Sequence, residues 1–440
     1  MTVESATPVA DRSPDPKILV VTKWAPPIIG GPKNLYNLLS LFPPNSLVVL
    51  TSADAIDPFS AGTGAWLPAR YIFFDRKEGS DIRGDDVSEG TPIREILSSR
   101  RPDPIRRFRF LGRNAVEVLF LLRNVPKIVR AALRAIREHG VTMLLGISDD
   151  GPALVGTYLA HRLSGLPYAL YLFDLYRGND LSSSLRFIAR AVEPGLLRKA
   201  VVVVTTNEAT EGLLRRRYGG SFRSVVIPNS AFPEEFERTR RTVTVRPPYS
   251  IVFTGNVYWA QEHAVLNLIR SMDHLRDLPV RLLLYIPSPT EKIRAAAADR
   301  PNIDLTSAPQ SEVAKAQCDA TLLFLPLSWG TNAPEIIETA TPGKLTDYLA
   351  SGRPMLVHAP DYSCVARFTK EHGTGIVVDR DDIGALADAI REFLRDPSAA
   401  DMYVRNALRI FEERHDARKN APKLWAILGG AGRVLHGARR

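Results

Sequence analysis

The run Thr341-Pro-Gly-Lys-Leu-Thr-Asp-Tyr-Leu-Ala-Ser-Gly-Arg-Pro-Met-Leu-Val357 predicts a helix that starts after a proline and a glycine and ends before a buried strand. The first turn of a helix leaves N–H groups without partners. We therefore expect those of Gly343, Lys344 and Leu345 to bind an anion such as a diphosphate, helped by the charge of Lys344. Asp347 lies one turn further along, near the same face, where a carboxylate can accept hydrogen bonds from two ribose hydroxyls. The alternative is a well-capped surface helix that carries an incidental ion pair.

Short β-branched runs alternate with helix-length amphipathic segments on both sides of this helix, which indicates doubly wound parallel sheets. The pattern restarts after an Arg- and Pro-rich stretch at 238–248. The sequence therefore predicts an α/β protein with domains at 17–235 and 249–414, a disordered leader at 1–16 and a basic tail or helix at 415–440. The predicted strands are 17–22, 47–51, 71–74, 143–147, 168–173 and 201–205 in the first domain, and 251–254, 281–286, 303–305, 320–325, 355–358 and 375–378 in the second.

Two segments of the first half have less regular patterns. Residues 77–92 are charged and contain glycine without periodicity, so we predict a mobile loop there. Residues 104–139 read as a long helical stretch. We expect it to break before Pro126, because a proline inside a helix removes a hydrogen bond and its ring clashes with the preceding turn.

The composition excludes several classes of protein. The only two cysteines, Cys318 and Cys364, lie far apart, which excludes a disulfide scaffold and a cysteine zinc site and fits a reducing compartment. The N-terminus is polar, without the apolar core of a signal peptide, and no stretch approaches the roughly 18 apolar residues that span a bilayer. We therefore expect a cytoplasmic protein, either soluble or peripheral on a membrane.

Positive charge is concentrated in residues 93–140, which hold twelve Lys and Arg against four Asp and Glu in a chain of net charge +9. Arginines interleaved with apolar residues suit an interfacial helix on the anionic inner face of the plasma membrane. A solvated face on a core helix is the alternative. Nucleic acid is not expected as a partner, because no nucleic-acid-binding motif accompanies the charge. The side chains expected to insert partly are Phe108, Phe110, Leu119, Phe120 and Leu121.

Residues that follow the predicted strands are candidates for a site, because ligands of open α/β sheets bind outside the carboxyl ends of the strands. The Gly30-Gly31 pair lies between the first strand and a helix, where glycine lets the backbone approach an anion; a structural turn is the alternative. Asp174 ends a strand and could orient an acceptor hydroxyl, or cap a helix. Asp149 and Asp150, at the end of the preceding strand, are weaker candidates of the same kind.

Four segments resemble glycosyltransferase family four and its relatives. The run from Pro342 to Pro354 is similar to the family signature Lys-Leu-x-Glu-Tyr-x-Ala-x-Gly-x-Pro. In the same order as in the family, residues 18–31 resemble its first strand and glycine loop, residues 226–231 (Val-Ile-Pro-Asn-Ser-Ala) the end of its first domain, and residues 253–258 (Phe-Thr-Gly-Asn-Val-Tyr) the first loop of its second domain. The resemblance spans about residues 17–414. It implies the GT-B fold, in which two Rossmann-like domains face each other across a cleft.

The resemblance also implies how the site is used. The donor would be a nucleotide-diphosphate sugar bound mainly by the second domain, with no metal and no other cofactor, and most members retain the anomeric configuration. Asp347 takes the place of the carboxylate that binds the nucleotide ribose. Gly343 to Leu345 and the Gly30-Gly31 loop would flank the diphosphate, and Asn256 lies where the second domain approaches the phosphates.

Three positions depart from the family pattern. The glutamate usually found eight residues before the second acidic residue is Thr339 here, and Glu338 is the expected replacement. Asp174 matches a position that faces the acceptor and the sugar, but the histidine usually found before it is Phe173. The basic residue that often follows the Gly-Asn loop is absent.

We therefore expect a glycosyltransferase of the hexosyltransferase type, with Asp174 and Glu338 as its catalytic residues. Its acceptor would be a lipid-linked or polysaccharide intermediate of the cell envelope. One alternative is a nucleotide-sugar epimerase on the same fold. The other is a sugar-nucleotide-binding protein without catalysis, which is favoured if the missing histidine and the displaced glutamate reflect lost activity.

Overall fold

The computed structural model describes residues 16–26, 31–55, 66–76, 80–86, 112–148, 151–242 and 245–437. The strands of the first sheet are β1 (Ile18–Val21), β2 (Leu47–Thr51), β3 (Arg70–Phe73), β4 (Ile82–Arg83), β5 (Met143–Ile147), β6 (Tyr168–Leu172), β7 (Val202–Thr205) and β8 (Ser224–Val226). Those of the second sheet are β9 (Tyr249–Thr254), β10 (Val280–Tyr285), β11 (Ile303–Thr306), β12 (Leu322–Pro326), β13 (Met355–His358) and β14 (Gly375–Val378).

The helices cover the faces of these sheets. Within the described ranges, those before the second sheet are α1 (Gly31–Leu39), α2 (Gly112–His139), α3 (Pro152–Ser164), α4 (Ser183–Lys199), α5 (Glu208–Tyr218) and α6 (Glu234–Glu237). Those that follow are α7 (Trp259–Ser271), α8 (Glu291–Ala297), α9 (Gln310–Cys318), α10 (Pro334–Thr339), α11 (Gly343–Ser351), α12 (Cys364–His372), α13 (Ile383–Arg395), α14 (Ala400–Ile410) and α15 (Ala417–Gly437).

Both sheets are doubly wound. The first has the strand order β4-β3-β2-β1-β5-β6-β7-β8, in which only the short β4 pairs antiparallel among the described strands. The second has the order β11-β10-β9-β12-β13-β14, with parallel pairing throughout. In each sheet the order reverses beside the first strand, β1 or β9, and a crevice opens there at the carboxyl ends. The predicted α/β class with two parallel sheets is confirmed.

The strands form where the sequence has unbroken apolar runs. All four residues of β1 are at most 1% exposed, and the five residues of β2 are buried as well. Runs of this kind are typical of parallel strands, which helices cover on both faces. The prediction of these strands from short β-branched runs therefore had a direct physical basis.

Two local predictions for the first domain were wrong. Helix α2 runs through Pro126 without ending, because burial of Leu121, Val125 and Ile128 against the rest of the domain outweighs the lost hydrogen bond. Residues 80–86 hold the strand β4 and a 3-10 turn at Gly84–Asp86, where a mobile loop was expected. This segment is held by backbone pairing with β3 and the residue before it, since the Gly84 N–H donates to the Ala69 carbonyl at 2.8 Å.

The chain crosses between the domains twice, and the two crossings are bonded to each other. After α14, a π-helical turn at 411–415 leads back to the first domain. Ala231, on the first crossing, donates its N–H to the carbonyl of His415 and accepts from the N–H of Ala417, both at 3.0 Å. Helix α15 then packs on the first domain, where Trp425 meets Phe42 edge to face with ring centroids 5.0 Å apart.

Candidate functional site

The first turns of α1 and α11, one from each domain, meet across the crevice. A Cβ added to Gly343 would lie 3.2 Å from the side-chain nitrogen of Asn34, so glycine lets the two turns approach closely. Both helices begin near this contact, and the free N–H groups of a helix start favour an anion. The structure therefore places the first turn of α1, which begins at Gly31, beside Gly343, although the sequence had suggested the two glycines separately. Gly30 lies outside the described residues.

Lys344 closes one side of this place. Its ammonium group donates to the carbonyl of Asn256 at 3.2 Å and lies 4.9 Å from the centre of the Phe253 ring. Gly255, with φ 94°, supports the approach, since a Cβ there would be 3.4 Å from the Lys344 side chain. Burial lowers the pKa of Lys344 to about 8, against the opposing effect of Asp347. An anion bound next to this desolvated ammonium group would stabilise its charged form.

Asp347 faces a cation that the sequence analysis missed. The Lys33 ammonium nitrogen, from α1 of the first domain, lies 3.8 Å from one oxygen of Asp347 and 2.8 Å from Glu235. Burial raises the pKa of Asp347, and the charge of Lys33 opposes that rise. Burial of Lys33 would lower its pKa, but the two carboxylates outweigh it and the net shift is upward. A lysine two residues after the Gly30-Gly31 pair was the available signal.

One predicted anion ligand has a backbone partner in this structure. The N–H of Leu345 donates to the Pro342 carbonyl at 2.9 Å, and the Leu345 side chain is 1% exposed in the core. The turn that starts α11 therefore uses the N–H group expected to hold a phosphate. The N–H groups of Gly343 and Lys344, which come before it, keep that assignment as a prediction.

Asp174 faces the second domain from the end of β6. The N–H groups of Phe173 and Asp174 donate to the hydroxyl of Ser148 at 2.9 and 3.3 Å, which fixes the loop. Desolvation in the cleft raises the pKa of Asp174. Burial raises the pKa of Tyr258, and the negative charge of the nearby Asp174 raises that pKa further. Since Tyr258 is on the same loop as Asn256, the structure brings Asp174 toward the predicted donor residues. Asp149 and Asp150 lie outside the described residues.

Glu338 lies in a different setting, on the seam between the domains. Its carboxylate forms an ion pair with Arg216 of α5, and Glu335 forms one with the neighbouring Arg217. The side chain of Asn207, which caps α5, donates to the carbonyl of Thr339 at 2.8 Å. These contacts hold α10 against the first domain, and the catalytic role expected for Glu338 stays a prediction.

A cavity of about 370 Å³ lies beside the β9–α7 loop. The Ser328 hydroxyl oxygen is buried and has no hydrogen-bond partner among the described residues, although it lines this space. His263 is held by Asp381, with 2.8 Å between the imidazole nitrogen and a carboxylate oxygen. The lining combines aromatic and polar side chains from both domains: Asp180, Trp259, His263, Lys292, Ser328 and Trp329.

The basic segment expected at a membrane is described only from residue 112 onward. Arg113 forms ion pairs with Glu117 at 2.7 Å and Asp180 at 3.3 Å. The expectation that Leu121 inserts into a bilayer is wrong, because its side chain is 6% exposed and packs in the core. The ammonium nitrogen of Lys23 lies over the Phe120 ring, 5.0 Å from the ring centre. Arg100, Arg101, Arg106, Arg107, Phe108, Arg109 and Phe110 lie outside the described residues.

Two apolar side chains of α2 do point outward. Leu119 is 38% exposed and Leu122 is 64% exposed, and Phe187 on the adjacent α4 is 74% exposed. A bond from the N–H of Ser184 to the side chain of Asn114, at 3.2 Å, ties the starts of the two helices together. Among the described residues, no helix is both long enough and apolar enough to cross a bilayer.

A comparison with known protein families finds one match, in the second domain. Residues 248–396 match the family model described as Glycosyl transferases group 1. The matched range holds most of the second domain, including β9, Asn256, Lys344 and Asp347. This confirms the resemblance seen at Pro342–Pro354, which lies inside the matched range. No curated protein matches the chain.

Solved structures that resemble this chain have the GT-B fold expected from the sequence. Sucrose-phosphate synthase from Thermosynechococcus elongatus is 15% identical, with a TM-score of 0.64 over 97% of this chain and 100% of that one. Anabaena HepE, in complex with UDP and glucose, is 15% identical, with a TM-score of 0.63 over 93% and 98%. A glycosyltransferase from Rickettsia africae is 12% identical, with a TM-score of 0.63 over 95% and 98%. At these identities the likeness shows the fold.

Proposed function

We propose that the chain transfers a hexose from a nucleotide-diphosphate sugar to a hydroxyl of a glycan or lipid-linked acceptor of the cell envelope. The observation that carries this proposal is the meeting of Lys344, Asn256 and Asp347 at the start of α11, opposite the start of α1. Two helix starts and an ammonium group suit a diphosphate, and the carboxylate suits a ribose. HepE, of the same fold, was solved with UDP-glucose, which supports this class of donor.

Charge stabilisation is the main chemistry that these residues offer. When the bond from the sugar to the diphosphate breaks, negative charge grows on the leaving oxygen. The Lys344 ammonium and the N–H groups of Gly343 and Lys344 would stabilise it, and such preorganised stabilisation is usually the largest catalytic effect. Asp174, with its raised pKa, would accept a hydrogen bond from the acceptor hydroxyl. Retention of the anomeric configuration and independence from metal are parts of this proposal.

The cavity beside the β9–α7 loop is assigned to the hexose of the donor. It adjoins the loop that carries Asn256, and it offers the rings of Trp259 and Trp329 together with the Ser328 hydroxyl. A sugar has apolar faces edged by hydroxyls, so this mixture fits it. We also propose that the protein acts at the cytoplasmic face of an anionic membrane, where the exposed Leu119 and Leu122 accompany the basic segment.

One observation favours the non-catalytic alternative. The carboxylate of Glu338 is engaged by Arg216 and so has a structural partner. A protein that binds a sugar nucleotide without catalysis would keep the donor residues and use Glu338 only for the seam.

The test is a panel of nucleotide-diphosphate sugars, screened by thermal shift and then by release of the free nucleotide diphosphate. We expect one donor to raise the melting temperature and to be slowly hydrolysed or transferred. Asp174→Asn should keep donor binding and lose turnover. Donor binding without any turnover by the wild type would favour the non-catalytic alternative, while conversion of the sugar with no release of the nucleotide diphosphate would indicate an epimerase.

A further inference from the structure

The segment that leads into α11 is bonded to the first domain. Asn207, shortly after β7, donates from its side-chain nitrogen to the carbonyl of Thr339 at 2.8 Å and to the hydroxyl of Thr341 at 3.0 Å. Asn229, shortly after β8, donates from its side-chain nitrogen to the carbonyl of Thr341 at 2.9 Å. Two asparagines of the first domain therefore hold residues 339–341 of the second.

These bonds lie in buried surroundings. Asn207 is 5% exposed, Asn229 is 6% exposed and Thr339 is 4% exposed. A buried carbonyl or amide that loses its partner is not compensated by water, so its loss costs the full desolvation of that group. The bonds from the two asparagines therefore favour one geometry of residues 339–341 while the domains are in contact.

A second role of Asn207 fixes the orientation of its amide group. The side-chain oxygen accepts from the N–H of Thr210 at 2.8 Å and so caps α5. The opposite orientation would place the amide nitrogen against this N–H and the amide oxygen against the carbonyl of Thr339, so both bonds would be lost. The donor nitrogen of Asn207 therefore faces the seam between the domains.

A single residue, Pro342, separates Thr341 from the N–H group of Gly343. The proline ring restricts φ, which is −53° here, so the connection has one rotatable bond fewer than usual. The position of Thr341 therefore determines where the first turn of α11 lies. That turn carries the N–H groups of Gly343 and Lys344, which are proposed to bind the diphosphate.

The rest of α11 is fixed by its own domain. Leu345, Tyr348 and Leu349 are at most 1% exposed, and the hydroxyl of Tyr348 accepts from the N–H of Thr254 at 3.3 Å. The body of the helix thus packs in the second domain, whereas the segment that enters it is held by the first. A change at the seam should therefore act on the first turn more than on Asp347, one turn further along.

We propose that Asn207 and Asn229 are positioning residues of the diphosphate site, so that the affinity of the second domain for a diphosphate depends on its contact with the first. The inference rests on the proposed function and adds the regulation of its donor site. N–H groups that are already in place bind an anion without an ordering cost. If one backbone residue had to be ordered on binding, the affinity would be roughly tenfold lower.

Calorimetry with UDP and with uridine tests the proposal in the full chain. Asn207→Ser keeps a residue that caps helices well but is too short to reach the carbonyl of Thr339, so it separates the cap from the seam contact. We expect this variant to bind UDP at least about tenfold more weakly than the wild type, and uridine within about twofold, because only UDP uses the first turn of α11. Equal losses for both probes would mean that Asn207 is structural and would overturn the proposal.

Two matched variants show whether the effect comes from the seam bonds. Thr341→Val keeps the shape of the side chain but removes the hydroxyl that Asn207 bonds, so it should also weaken UDP selectively. Combined with Asn207→Ser it should add little, because both changes remove the same bond. Glu208→Gln is the control, since it removes an ion pair from α5 to Arg414 without touching residues 339–341. A loss of UDP affinity in Glu208→Gln as large as that in Asn207→Ser would overturn the proposal.

Amide hydrogen exchange gives a readout that needs no ligand. The N–H of Leu345, which donates to the Pro342 carbonyl, should exchange faster in Asn207→Ser than in the wild type or in Glu208→Gln. Unchanged exchange at this position would overturn the proposal even if the variant bound UDP weakly.

Binding by the wild type separates this inference from the proposed function. If the wild type prefers UDP to uridine and Asn207→Ser keeps that preference, the inference fails and the proposed function stands. If neither UDP nor another nucleoside diphosphate binds to the wild type, the proposed function fails, and this inference fails with it.

Discussion

The ammonium nitrogen of Lys33, in the first domain, lies 3.8 Å from a carboxylate oxygen of Asp347, in the second. A residue expected to bind the ribose is therefore held by a cation from the opposite side of the crevice. Glu235 shares the same cation at 2.8 Å. The proposed donor site consequently depends on the approach of the two domains as well as on the sequence of α11.

Replacing Asp347 tests the ribose contact. Asp347→Ala should weaken binding of the nucleotide sugar by about 1.5–3 kcal/mol, the usual contribution of a hydrogen bond to a charged group. Glu235→Gln is the matched control, because it removes a partner of Lys33 but keeps the Asp347 carboxylate. Isothermal titration calorimetry measures both affinities. Unchanged donor affinity in a folded Asp347→Ala protein would contradict the assignment.

The low pKa of Lys344 predicts that diphosphate binding depends on pH. The pKa is about 8 in the free protein. Only the charged ammonium attracts the diphosphate, so affinity should be constant below this pH and fall by up to about tenfold per unit above it. Binding should also take up a proton in this range, which calorimetry in buffers of different ionisation enthalpy detects.

The controls for this pH dependence are Lys344→Arg and the bare nucleoside. The arginine variant keeps its charge and should bind the diphosphate with little pH dependence up to about pH 9.5. The nucleoside has no diphosphate and should bind equally well at all these pH values. A wild-type protein whose diphosphate affinity is flat between about pH 7 and 9.5 would show that Lys344 has no part in the anion site.

Buried His358 predicts a loss of stability in acid. Burial lowers its pKa from 6.5 to about 4. The folded state thus keeps this histidine neutral while the unfolded state takes up a proton below pH 6.5, so stability is complete above pH 6.5 and is lost as the pH falls toward 4. The loss should be on the order of 1–3 kcal/mol. The free energy of unfolding, measured by urea at several pH values in this range, should fall less steeply with decreasing pH in His358→Gln than in the wild type. His274 is exposed, so His274→Gln should show the same pH dependence as the wild type.

Two helical glycines should respond in opposite ways to alanine. A Cβ at Gly156 of α3 would lie 2.5 Å from a methyl carbon of Ile128 on α2, so Gly156→Ala should destabilise by about 1–3 kcal/mol. A Cβ at Gly195 of α4 would meet nothing within 4 Å, so Gly195→Ala should stabilise by about 0.5–1 kcal/mol. The midpoints of urea unfolding give both values. A stabilising effect of Gly156→Ala would mean that the contact between α2 and α3 is loose.

The membrane proposal predicts flotation with anionic vesicles at low salt. Each Lys or Arg near the surface contributes on the order of 1 kcal/mol, so replacing Arg106, Arg107 and Arg109 by Gln should release the protein, and salt should do the same by screening. Turnover on a short soluble acceptor should survive in this variant. Wild-type protein that stays in the soluble fraction at low salt would end the membrane proposal.

The sequence predicted the strands well and suggested candidate residues in the second domain, because both depend on local pattern. The strands β1 and β2 can be recognised in the sequence as unbroken apolar runs, because parallel strands are buried on both faces. Asn256, Lys344 and Asp347 could be named because one short motif and one loop carry them. In the structure Lys344 donates to the carbonyl of Asn256, and Asp347 pairs with Lys33; their roles in donor binding stay predictions.

The sequence failed where a contact between distant elements decides the outcome. Lys33 becomes part of the site only because α1 meets α11, which no local pattern shows. Pro126 stays inside a helix because Val125 and Ile128 on either side are buried, and tertiary packing then outweighs a local preference. The N–H of Leu345 was assigned to a ligand, but the turn that begins α11 uses it.

The paired bonds of Ala231 with His415 and Ala417 limit how the molecule can move. Both connections between the domains pass through this point, where the two hydrogen bonds join them. A sliding of one domain along the other would break these bonds, whereas a hinge rotation about them would not. A hinge rotation of this kind would widen the crevice and separate Lys33 from Asp347, while both bonds of Ala231 stayed intact.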